Sequence, residues 1–173
     1  KRPSSVCVAA DHPEIAAEVQ RFGGHVVMTD PAAASGTDRV AEVARSLEDM
    51  AMIVNVQGDE PEIAGDSIDL AIQTLEETPA AVMSTLATPI RSREQLWDPA
   101  CVKVVFGQDG RSLYFSRAPI PYPREWNEDC LTENPPRFFQ HVGLYAYRRE
   151  FLLRIGELPR CAAEVTESLE QLR

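Results

Sequence analysis

No apolar run in this sequence approaches the roughly 20 residues of a membrane span, and no signal-peptide pattern opens it. Cysteine is scarce and unpatterned: Cys7, Cys101, Cys130 and Cys161 lie far apart with no CxxC spacing. That argues against a zinc site or a disulfide framework and for a reducing, cytoplasmic setting. Positive charge is in deficit, with 17 Lys and Arg against 27 Asp and Glu and a net charge of −10. A nucleic acid or an anionic membrane needs a basic footprint, so neither is an expected partner. A small anionic ligand held by a few local arginines remains compatible. Also lacking are an initiating methionine and a cap or tail after the final helical pattern. The expectation is a fragment whose parent extends at one or both ends.

What is present suits a single domain with a substantial core: 173 residues, 44% hydrophobic and 25% charged. Its centre of interest is MIVNVQGDEP, residues 52–61. The short β-branched run Met52–Val56 reads as a strand buried on both faces of a parallel sheet. Gln57, Gly58 and Asp59 would then lie at the carboxyl end of that strand, the edge at which open α/β sheets hold ligands. Gly58 would allow close backbone approach, and Asp59 would offer a hard oxygen ligand. The same string also fits a plain strand followed by a polar turn closed by Pro61.

Around this stretch the chain alternates strand and helix patterns. An apolar run over 4–10 leads to Asp11, whose spacing from Glu14 fits a capping box. A helix with Ile15, Val19 and Phe22 on one face stops at Gly23-Gly24, and a strand 25–28 follows. A strand–helix–strand unit of this kind is the repeat of a parallel sheet. The small-residue loop 29–36 runs into SGTDR (35–39), where a helix start would present free N–H groups to a phosphate or to base edges. An N-cap beside an exposed arginine is the ordinary alternative. A helix beginning near Asp66 or Ser67, a strand over 81–88 and a short helix capped by Ser92 come next.

From residue 102 the pattern changes to a β-hairpin, 102–115, of the sort that forms a lid or a dimer contact. The prolines at 119, 121 and 123, between Arg117 and Arg124, favour a stiff extended loop. Residues 125–137 read as an exposed acidic loop. In the alternating strand 138–147, His141 and Tyr145 point the same way, and a packed core histidine is the ordinary reading. A final helix over 164–172 would place Val165, Leu169 and Leu172 on one face and Glu167, Glu170 and Gln171 on the other.

The strings SGTDR (35–39), NVQGDEP (55–61), VKVV (102–105), LYFSRAPIP (113–121), HVGLYAY (141–147) and ESLEQLR (167–173) occur in this order across nearly the whole chain. Together they resemble the 3-deoxy-D-manno-octulosonate (Kdo) cytidylyltransferases, or CMP-Kdo synthetases. The resemblance implies a Rossmann-like α/β nucleotidyltransferase fold, with a mixed, mostly parallel sheet and an inserted dimerisation hairpin. It implies transfer of CMP from CTP to Kdo, with pyrophosphate as the other product. Asp59 and Arg117 are the implied catalytic residues, with Asp59 holding Mg²⁺. Asp11, Ser35, Gly36, Arg39, Gln57 and Gly58 are implied CTP contacts. Gln57, Arg117, Arg124, His141, Tyr145, Glu170 and Gln171 are implied to line the sugar site. A homodimer in the cytoplasm is expected.

The family pattern begins with a strand and a PARxxSxRxPGKP-like loop and ends with a VDTPEDLE-like segment; neither occurs here. Ala32-Ala33-Ala34 and Arg160-Cys161-Ala162-Ala163 also depart from it. A cytidylyltransferase for another acidic sugar, such as a sialic acid, and a non-catalytic binding fragment are the competing readings.

Overall fold

The computed structural model describes residues 2–33, 35–58 and 62–173. They form two compact units, each assembled from two stretches of chain: Lys1–Thr85 with Gly143–Glu157, and Leu86–Val142 with Leu158–Arg173.

The first unit starts with β1 (Val8–Ala10), α1 (Pro13–Arg21) and β2 (Val26–Met28). β1 and β2 pair in parallel from Val8↔Val26 to Ala10↔Met28, as a strand–helix–strand unit should. The cap of α1 differs from expectation. His12, not Asp11, is the N-cap, and its Nδ1 accepts from the Glu14 N–H at 3.3 Å. The buried stripe is also rotated, because Ala16 and Val19 face inward while Ile15 and Phe22 are exposed. Gly23, at φ 78°, ends the helix in the left-handed region that glycine enters at no steric cost. A Cβ on Gly24 would lie 2.6 Å from the Phe22 ring, so this second glycine is required by close packing.

Next come α2 (Gly36–Arg45), β3 (Met52–Val56) and α3 (Gly65–Glu77). The unit is completed by the start of β4 (Met83–Pro89), the second half of β7 (Phe139–Arg148) and α6 (Arg149–Ile155). The expectation that β3 lies in a parallel sheet is corrected. β3 pairs antiparallel with β7, from Met52↔Arg148 to Val56↔Leu144, because the chain has reversed direction before it returns along β7. β3 is also only half-buried: Asn55 is its one buried residue and Val56 is exposed. Two successive arginines then take up helix-end carbonyls, which have no intrahelical partner. Arg148 donates to Leu75 O at 2.9 Å and to the C-cap Thr78 O at 3.3 Å, and also to Ala81 O in the turn beyond at 2.8 Å; Arg149 donates to Ala44 O at 3.0 Å.

The second unit holds the end of β4, α4 (Arg93–Trp97), β5 (Lys103–Phe106), β6 (Ser112–Ser116), α5 (Asp129–Thr132), the first half of β7 and α7 (Ala162–Glu167). Ser92 caps α4 as expected, its hydroxyl accepting from Gln95 N–H at 3.3 Å. β5 and β6 form the expected hairpin, Lys103↔Ser116 to Val105↔Tyr114, and Lys103 also pairs with Gln140 of β7. The stretch 125–137 is not the exposed loop its charges suggested. It contains α5, whose Cys130 and Leu131 are buried with Ile90, Leu96, Cys101 and Phe138, and Trp126 packs against that cluster. The final helix is likewise broken: α7 ends at Ser168, at φ 52° and ψ 51°, and a separate 3₁₀ turn covers Glu170–Leu172. All four cysteines are free. No helix among the described residues is long and apolar enough to cross a membrane.

Candidate functional site

In the first unit the structure gathers several of the residues expected at a nucleotide. Ser35 is the N-cap of α2; its hydroxyl accepts from Asp38 N–H at 3.1 Å and donates to the Asp38 carboxylate at 2.9 Å. One turn on, Arg39 is half-buried and donates to three groups: Asp11 Oδ2 at 2.8 Å, Thr29 Oγ1 at 2.6 Å and Asp30 O at 3.3 Å. The carboxylate released from capping α1 thus joins the end of β1 to α2 through Arg39. Asp11, Ser35 and Arg39 are brought together around the loop that follows β2. At Gly36 no described atom lies within 4 Å of where a Cβ would stand. The start of this ten-residue helix thus has room at Gly36 among the described residues, and its positive dipole end suits phosphate oxygens.

Gln57 and Gly58 follow β3 and are exposed, and Gly58 is as open as Gly36. Asp59, the expected magnesium ligand, lies outside the described residues. Among the described residues no group of three or more His, Cys, Asp or Glu side chains could hold a metal ion. Tyr145 is buried on β7 and stacks on Tyr147 with ring centroids 5.8 Å apart.

The second unit holds the remaining expected sugar contacts. His141 is buried, its N–H donates to Val102 O at 2.8 Å, and its ring meets Phe115 edge-on at 5.1 Å. Burial pushes its pKa down to about 4. At neutral pH the imidazole is uncharged; it can orient a hydroxyl by hydrogen bonding but cannot offset an anion. Arg124 is exposed and lines a pocket of about 380 Å³ with Pro123, Glu125, Asn127, Cys130 and Arg137. Arg137 in turn is held by the Glu133 carboxylate.

Arg117 sits in a setting the sequence did not announce. Its Nε donates to Glu167 O at 2.6 Å, Nη1 to Pro99 O at 3.0 Å and Nη2 to Ser168 O at 3.4 Å. The Glu167 carboxylate accepts from Ser116 Oγ at 2.6 Å, from Arg117 N–H at 2.8 Å and from Tyr114 OH at 3.4 Å. Burial alone would raise the pKa of Glu167, but these donors outweigh it and hold the carboxyl below its ordinary value. Glu170 and Gln171 stand on the 3₁₀ turn just beyond. Lys103, fully buried, donates through Nζ to Asp98 O at 2.8 Å and Cys101 O at 2.6 Å. Glu167 and Lys103 were missed as site-building residues. Lys103 lay inside an apolar strand pattern, and continuous helical phase assigned Glu167 to a solvated or ligand-facing surface.

An α/β chain of this order is the fold of nucleotidyltransferases. A solved structure of CMP:2-keto-3-deoxy-manno-octonic acid synthetase complexed with CTP superposes on it with a TM-score of 0.87 at 41% identity, covering 98% of this chain and 66% of that one. The sequence profile of the cytidylyltransferase family matches residues 1–173, and the chain belongs to that family. The 3-deoxy-manno-octulosonate cytidylyltransferase of Rhodopirellula baltica is 50% identical over 169 residues, 97% of this chain and 68% of the relative. The enzyme of the same name from Syntrophotalea carbinolica is 49% identical over 170 residues, again 97% and 68%. This chain thus spans about two thirds of the length of the relatives it matches.

Proposed function

We propose that the protein activates Kdo with CTP, giving CMP-Kdo and pyrophosphate. The observation that carries this reading is the 0.87 TM-score at 41% identity to the CTP complex of a CMP-Kdo synthetase, over 98% of the chain. In this reaction the anomeric 2-hydroxyl oxygen of the sugar acid bonds to the α-phosphorus of CTP. The bond from that phosphorus to the pyrophosphate oxygen breaks, and the hydroxyl proton is lost.

Both substrates are anions, so the protein must offset their repulsion and hold the reacting atoms in line. We assign the nucleotide to the first unit, where the start of α2 offers room at Gly36 and a positive dipole end, and Arg39, fixed by Asp11 and Thr29, supports the adjoining loop. The sugar carboxylate falls to Arg124, since guanidinium matches a carboxylate in planar geometry. Neutral His141, together with Tyr145, Gln57, Glu170 and Gln171, would bind hydroxyls. Magnesium is proposed at Asp59, where a bound ion would neutralise phosphate charge.

We also propose that the two units serve one catalytic domain, that the protein works in the cytoplasm and that it dimerises. Support for the dimer is the apolar surface that the hairpin exposes at Phe106, Leu113 and Tyr114. Light scattering tests it, and a monomer at micromolar concentration would count against it.

The deciding experiment is pyrophosphate release from CTP and Mg²⁺ with and without Kdo, repeated with a panel of acidic sugars. Release that depends on Kdo is the expected result. No release, or faster turnover of another sugar acid, would overturn the assignment.

A further inference from the structure

We infer that Glu167 is a positioning residue for the sugar-acid site: with Arg117 it forms a two-way clamp that sets the turn at Ser168 and so aims Glu170 and Gln171. This deepens the reading above and rests on it for the identity of what Glu170 and Gln171 hold.

The clamp is reciprocal. The side chain of each residue binds the main chain of the other, Glu167 Oε2 to Arg117 N at 2.8 Å and Arg117 Nε to Glu167 O at 2.6 Å. Glu167 further accepts from Ser116 Oγ, and Ser116 is only 2% exposed. A helix leaves its last carbonyls without intrahelical partners. Here the carbonyls of residues 167 and 168 are both taken by the Arg117 guanidinium. Ser168 itself stands at φ 52°, a left-handed conformation that disfavours any residue with a Cβ. Such a joint persists only where its surroundings over-determine it. On its far side Leu169 is buried against Val104 and Phe115, and the next residue begins the 3₁₀ turn. A single residue thus separates the joint from Glu170, so the dihedrals of Ser168 decide where Glu170 and Gln171 point. The base of the clamp is firm as well. Pro99 O, which receives Arg117 Nη1, lies in the turn whose Asp98 and Cys101 carbonyls are held by buried Lys103.

The test compares wild type with Glu167→Ala and Glu167→Gln in two measurements on the full chain. Alanine strands the Ser116 and Arg117 donors, whereas glutamine retains one acceptor. For Glu167→Ala the expected result is a KM for the sugar acid raised at least about tenfold and a KM for CTP within about twofold, with glutamine recovering most of the loss. Amide exchange across 168–173 should quicken at least about tenfold in the alanine variant, with α3 unchanged. An equal rise in both KM values, or unchanged exchange at 168–173, would overturn the inference. If the alanine variant does not fold, Glu167→Asp, which keeps the charge and shortens the arm, must quicken exchange in the same segment. A wild type that turns over no sugar acid sinks the functional reading instead, and the exchange measurement then decides the clamp alone.

Discussion

Arg39 reaches 28 positions back along the chain to bind Asp11, Nη2 to Oδ2 at 2.8 Å, and so fastens the end of β1 to the first turn of α2. The pair stands where the nucleotide is proposed to sit, and it is partly shielded from water. A double-mutant cycle of Asp11→Asn and Arg39→Lys should return a coupling of about 1 kcal/mol in urea unfolding. Arg39→Lys alone should also weaken CTP binding, because a lysine cannot reach Asp11 and Thr29 at once. Additive effects of the two changes would show that the two side chains are not coupled in solution.

Buried His141 makes a pH prediction whose sign is fixed by its depressed pKa. The unfolded chain binds this proton from about pH 6.5 downward, and the folded chain only near pH 4. The stability that comes from keeping the ring neutral is therefore complete above pH 6.5 and is lost as pH falls towards 4, by up to about 3 kcal/mol. Glu164 and Glu167, whose folded values lie below 4.5, add their losses lower still. Denaturation midpoints between pH 5 and 7 should therefore fall with pH in the wild type and stay nearly flat in His141→Asn. Matching slopes would refute the assignment.

Lys103 is the most deeply buried charged group among the described residues, and its ammonium holds two carbonyls of the turn 98–101. Burial pushes its pKa below the ordinary lysine value. Lys103→Met keeps the apolar stem but strands both acceptors, and it should cost about 2–4 kcal/mol in urea unfolding. A loss below about 0.5 kcal/mol, the usual scatter of surface changes, would show that those carbonyls find other partners.

Ser168→Gly should do the reverse. Glycine enters the left-handed region freely, so the substitution should raise stability by up to about 1 kcal/mol, measured as a shift in urea midpoint. Destabilisation by a similar amount would mean that the joint is not left-handed in solution.

At Asp59 the expectation is functional. Asp59→Ala should lower Mg²⁺-dependent turnover by at least about a hundredfold, since charge neutralisation at the phosphates is worth several kcal/mol. Unchanged turnover would take Asp59 out of the metal site.

What the sequence disclosed was what short-range rules control. The β1–α1–β2 unit, the Ser92 cap and the 103–116 hairpin were legible because each depends on neighbours a few residues apart. Ser35 and Arg39 were legible as a helix start. The partner of Arg39 was not, because a cap on α1 and a salt bridge 28 residues away compete for Asp11, and only tertiary placement decides. The direction of β3 was hidden for a similar reason: an apolar pentapeptide looks alike beside parallel or antiparallel neighbours. The turn at Ser168 carries no glycine to announce it, so helical phase was carried straight through it and Glu167 was misread. Burial of Cys130 and Leu131 escaped notice because two apolar residues among charges form no period.

The late arrival of β7 has a consequence for synthesis. β3 is translated by residue 56, yet the strand that completes it spans 144–148, and Arg149 closes the end of α2. On the ribosome, at roughly 5–20 residues per second, an unpaired β3 edge would wait several seconds for its partner. An edge left open in this way invites pairing with other chains. Nascent chains stalled shortly after residue 100 should therefore be cleaved readily near β3 and bind holdase chaperones, and the released chain of 173 residues should resist. Equal protease resistance at both lengths would show that β3 is sheltered by something other than β7.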